Sequence, residues 1–109
     1  MTIEIHSPYQ KVDEKFLLEL EREIMHLSNL NKDISRAEIN FRIDDPASPE
    51  NKICEIRLTI YSDNLFSRRV SSSFEEAARE VIGDLHSKVV NQALLKNELP
   101  DELTTSIEI

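Results

Sequence analysis

Glycine appears once in 109 residues, cysteine once and tryptophan not at all. One glycine, Gly83, leaves no glycine-rich loop to cradle a phosphate, which removes the usual nucleotide-binding turns. One cysteine, Cys54, excludes an internal disulfide framework and any multi-cysteine metal knot, so a reducing compartment is the simpler setting. No apolar run approaches the length of a membrane span, and the first fifteen residues carry neither a basic start nor a cleavable hydrophobic stretch. A soluble, cytoplasmic chain is expected. Basic residues are also scarce: 13 Lys and Arg against 21 Asp and Glu give a net charge of -8, which argues against nucleic-acid binding through a diffuse positive field.

What remains is enough for one domain with one modest core. Residues 2–6 alternate, with Ile3 and Ile5 on one side of a short strand. From Asp13 the period becomes helical: Phe16, Leu20, Ile24 and Leu27 form one stripe, and Asp13 is placed to accept the free amides of the first turn. Ala37, Ile39, Phe41 and Ile43 then alternate with charged and polar residues. After a loop carrying Pro46 and Pro49, Cys54, Ile56, Leu58 and Ile60 do the same, with Cys54 on the apolar side as a core thiol. Ser62, Asp63 and Asn64 suggest a tight turn into a last strand over residues 65–70. Ser73 and Glu76 have capping-box spacing before a second long helix with Phe74, Ala78, Val81, Ile82, Leu85 and Val89 on its apolar stripe.

The expected fold class is therefore α+β, a two-layer βαβββα sandwich whose four-stranded sheet is covered on one face by two helices. If the first two strands are neighbours they run parallel, joined by a crossover through the first helix. The core is expected to centre on Ile39, Phe41, Ile56, Leu58, Phe16, Leu20, Val81 and Leu85. The domain spans residues 1–96. Pro100 and the acidic pair after it mark residues 97–109 as a frayed acidic tail, with an added edge strand as the alternative for its last six residues.

Catalytic chemistry finds little to work with. His6, His26 and His86 fall on three separate elements with no metal-ligand spacing, and the glutamate clusters fall on solvent-facing helix positions. No metal, no cofactor and no enzymatic activity are expected. Two other features stand out. Leu18 and Met25 lie on one outward ridge of the first helix beside Arg22, and Val90 and Leu94 form a similar pair on the second, which favours a partner interface and allows a homodimer. Residues 35–70 hold six basic and six acidic residues, whereas residues 75–109 hold three and eight, so the negative excess lies outside the strands.

The opening MTIEIHSP, the helix VDEKFLLELEREIMHL, the strand ICEIRLTIY and the stretch LFSRRVSSSFEEAAREVIGDL, taken in order, resemble the bacterial ribosome hibernation promoting factors. These are also called ribosomal subunit interface or sigma-54 modulation proteins. The resemblance implies a fold similar to double-stranded-RNA-binding domains and a non-enzymatic role. It further implies binding to the small ribosomal subunit, its 16S ribosomal RNA and proteins, which inhibits translation in stress or stationary phase. DNA and membranes are not implied as partners. The chain looks like the short type, without a second domain. Family members carry basic residues along both helices. Here Lys15, Arg22, His26, Lys88 and Lys96 are the candidates for RNA contact, with Arg36, Arg68 and Arg69 at strand ends, whereas Glu23, Asp84 and Asn91 stand where basic residues are usual. The alternative is a non-catalytic protein-binding adaptor or homo-oligomeric regulator on the same fold that has lost tight RNA binding.

Overall fold

The computed structural model describes residues 1–7, 12–61 and 63–108, with side chains described as far as Leu94. The chain runs β1 (Thr2–His6), α1 (Glu14–Leu30), β2 (Arg36–Ile43), β3 (Lys52–Ile60), β4 (Asp63–Ser71) and α2 (Phe74–Glu108). The four strands form one sheet in the order β1-β2-β3-β4. β1 pairs parallel with β2, and the other two pairings are antiparallel. This is the βαβββα sandwich expected from the alternation of periods.

Local chemistry accounts for the element ends. The Asp13 carboxylate accepts the Lys15 amide at 3.3 Å and starts α1. Ser73 Oγ accepts the Glu76 amide at 3.1 Å and starts α2, but the Glu76 carboxylate accepts from Ser72 Oγ, so the capping box is only half made. Between β3 and β4 the turn is shorter than the sequence suggested: Ile60 pairs with Asp63 and Thr59 with Asn64, drawing both polar residues into β4. Asp63 stabilises that end by accepting the Asn64 amide at 2.8 Å.

Strand alternation sends Ala37, Ile39, Phe41, Cys54, Ile56, Leu58 and Ile60 inward, where Leu20, Ile24 and Leu27 of α1 and Phe74, Ala77, Ala78, Val81, Leu85 and Val89 of α2 cover them. Phe41 and Phe74 meet edge to face, with ring centroids 5.4 Å apart, and lock sheet to helix. Two positions depart from the expected core. Phe16 is only half-buried, because it lies on the margin between the helices. Ile53 is buried outside the central cluster, at the register position between Arg42 and Val70.

α2 carries helical backbone through Glu108, past Pro100, where the sequence pointed to a tail. A proline removes one intrahelical donor and crowds the preceding turn, and neither effect forbids helical backbone beyond it. Gly83 is on the exposed side of α2 with open space where a side chain would stand. Among the described residues no helix is long and apolar enough to cross a membrane.

Candidate nucleic-acid interface

With both helices on one side, the other face of the sheet is open. Register places Glu4, Glu38, Arg57 and Phe66 in one row across the four strands, and His6, Asn40, Glu55 and Arg68 in the next. Arg36 donates to Glu4 at 2.6 Å and to Glu38 at 3.4 Å. Glu55 accepts from Arg42 at 2.7 Å and pairs with Arg68 at 3.3 Å, so one carboxylate on the third strand ties its neighbours on both sides. Three of the four arginines on this face thus have carboxylate partners.

The fourth is different. Arg57 lies over the Phe66 ring, 5.6 Å from its centroid, and among the described residues it has no carboxylate partner. The glutamate directly across from it, Glu38, is engaged by Arg36. Phe66 itself is 42% exposed. Neither residue was among the site candidates from sequence; the signal is the β3–β4 register, which seats Phe66 opposite Arg57 and alternates it outward from the half-buried Leu65.

Register also separates Arg68 from Arg69. Arg68 lies on the open face with Glu55, whereas Arg69 turns toward α2, where it approaches Asp84 at 3.8 Å. Lys88 pairs with the same Asp84 at 3.0 Å and donates to the Phe66 carbonyl at 2.9 Å. The hydrogen bond from Ser67 and then that from Lys88, helped by the charges of Lys88 and Arg69, hold the Asp84 carboxyl below its ordinary range. Arg36, Arg68, Arg69 and Lys88 therefore do not converge on one surface, and each is already engaged within the fold.

On the helical side, Lys15 and Arg22 are exposed, and Arg22 and His26 share one ridge of α1 with Leu18, 57% exposed, and Met25, 46% exposed. His86 of α2 comes beside His26, with ring centroids 6.3 Å apart and planes 9° from parallel. The fold thus gathers two of the three histidines, while His6 stands on the open sheet near Glu4. Val90 is half-buried and Leu94 is exposed, so this pair is less of a ridge than Leu18 and Met25. The Lys96 side chain lies outside the described residues.

Acidic residues nevertheless dominate this side. Glu14, Glu19, Glu21 and Glu23 of α1 and Glu75, Glu76, Glu80 and Asp84 of α2 outnumber Lys15, Arg22, Arg79 and Lys88 two to one. A depression of about 210 Å³ between the helices is floored by Phe16, Leu20, Ala78 and Ile82 and rimmed by Glu19, Glu23 and Arg79.

Burial, with a smaller push from the Glu55 charge, raises the Cys54 thiol to about 12, which makes it a poor nucleophile. Glu4, His6 and Glu38 have ligand atoms within 4.8 Å of one another, but both carboxylates are held by Arg36, and ion pairing alone accounts for the cluster.

This arrangement of strands and helices has counterparts of known structure. A ribosomal subunit interface protein from Coxiella burnetii superposes with a TM-score of 0.71 at 13% identity, over 84% of this chain and 97% of that one. The chain has the fold of that protein. The N-terminal domain of Protein Y from Thermus thermophilus gives 0.64 at 9% identity, over 83% of this chain and 93% of that one. No protein-family model matches the chain, and no curated protein matches it in sequence. The shared feature is thus the complete βαβββα sandwich.

Proposed function

We propose that this chain is a non-catalytic, ribosome-associated inhibitor of translation that binds the small ribosomal subunit through ribosomal RNA under stress or in stationary phase. The observation that carries the proposal is the match of nearly the whole domain to a ribosomal subunit interface protein, 97% of whose length it covers. Exposed Lys15 and Arg22 on α1 and Arg79 on α2 are the cations on the helical side without a carboxylate partner among the described residues, with His26 beside Arg22, since Lys88 is committed to Asp84 and the Phe66 carbonyl.

Few free cations mean few neutralised phosphates, so binding is weak and its salt dependence shallow. Co-sedimentation with purified small subunits across a salt series tests this. The expected result is association at low salt that fades as salt rises and is weakened by Arg22→Glu. Absence of association even at the lowest salt would overturn the proposal.

A second reading is favoured by one observation. Leu18 and Met25 stand exposed on a ridge otherwise surrounded by charge, the pattern of a small protein-docking patch. On that reading the chain is an adaptor or homo-oligomeric regulator on the same fold, and Leu18→Glu abolishes partner binding while leaving the core intact.

A further inference from the structure

We infer that the open face of the sheet binds single-stranded RNA by stacking a base on the Arg57–Phe66 pair, a mode separate from any phosphate contact along the helices. The charge distribution supports this face over the helical one. It presents Arg36, Arg42, Arg57 and Arg68 against Glu4, Glu38 and Glu55, a near-neutral balance with one arginine to spare, in a chain whose net charge is -8. Each of the three carboxylates is held by an arginine, so little bare negative charge faces an incoming strand.

Within this face, Arg57 and Phe66 are suited to a base and to little else. Arg57 makes no ion pair among the described residues, and its guanidinium covers an exposed phenyl ring. A guanidinium plane and an aromatic ring both stack on nucleobases, and cation and π-surface reinforce each other. Thr59 and Asn64, a directly opposed pair two positions along the strands, supply hydroxyl and amide groups beside this platform. Phe66 stands amid arginine–glutamate pairs, with Val70 and Tyr61 the other exposed apolar side chains on or beside this face among the described residues, and a duplex hides the faces of its bases, so an unpaired strand is the fitting occupant of the Arg57–Phe66 pair.

Because the chain has no tryptophan, Phe66→Trp places its only indole at the stacking position, read apart from Tyr9 and Tyr61 by excitation at the red edge of the indole band. Titration with an unstructured ten-nucleotide RNA, and with the same sequence as a duplex, supplies the test. The expected result is quenching of the introduced indole by the single strand with much less response to the duplex. Anisotropy of labelled RNA should show affinity falling on the order of tenfold in Phe66→Ala and in Arg57→Lys, which keeps the charge but loses the planar group. Both positions are on the surface, and unchanged denaturation midpoints are expected to confirm intact folding. Indole fluorescence that stays unquenched at saturating RNA, or wild-type affinity in both variants, would overturn the inference. The assay contains no ribosome, so such a failure beside intact co-sedimentation with small subunits leaves the ribosome-associated reading standing.

Discussion

On the inner face of the sheet Ile39, Phe41, Ile56 and Leu58 are buried under two helices, while on the outer face Arg36, Arg42 and Arg68 each reach a glutamate across the strands. Both faces are made by the same strands, whose successive residues alternate between them, yet they are stabilised by different physics. Inner contacts remove apolar surface from water and are sensitive to volume. Outer contacts exchange hydration for ion pairs that remain in reach of water and salt, so each contributes little to stability. Evolution can therefore change the outer face at small cost to folding, and a binding surface is free to develop there.

The sharpest way to break this comparison is Phe41→Ala. Phe41 is fully buried against Phe74, and its truncation should cost about 3–5 kcal/mol, read as a large drop in the denaturation midpoint with unchanged slope. A shift no larger than that of an outer-face variant would contradict the division between the faces.

A smaller effect comes from Cys54 at high pH. Its thiol ionises near 9.0 when free and near 12 when folded, so the folded state binds the proton more tightly. The contribution is intact below the free value and is lost as pH rises above it, because the unfolded chain then ionises while the folded chain does not. The slope approaches about 1.4 kcal/mol per pH unit within that window. Cys54→Ala is expected to be less stable than wild type near pH 8, with the gap narrowing by about pH 10. A gap that stays constant would mean the thiol is not buried as described.

Smallest is Glu55→Gln, which removes the shared acceptor of Arg42 and Arg68. The Glu55 side chain is 18% exposed, and the loss of two partly solvated pairs should cost about 1 kcal/mol. Repeating the denaturation at about 1 M salt should shrink the difference, since screening acts on the outer face and not on the core. A difference indifferent to salt would show that packing, and not charge, is what Glu55 contributes.

Much of this organisation is legible in the residues. Alternation in residues 36–43 and 52–60 and the helical stripes from Phe16 to Leu27 and from Phe74 to Val89 lead to the layered fold, because period 2 and period 3.6 each leave only one face to bury. The candidate cations are less legible. Arg68 and Arg69 are adjacent in sequence, but a strand sends neighbours to opposite faces, so they meet Glu55 and Asp84 respectively. Lys88 reads as a free cation until β4 is placed beside α2 and supplies the Phe66 carbonyl. Phe66 could be assigned outward only once the β3–β4 register was known, since residues 65–70 hold too little alternation to settle it alone.

By itself the sequence determined the element order, the buried faces, the inert place of Cys54 and the acidic excess, because these depend on local periodicity and composition. Tertiary structure decided which charges are already paired, brought His26 to His86 and set Arg57 over Phe66. Those relations join residues separated along the chain by whole elements, and only strand register and helix packing bring such residues within the few ångströms over which charges and rings interact.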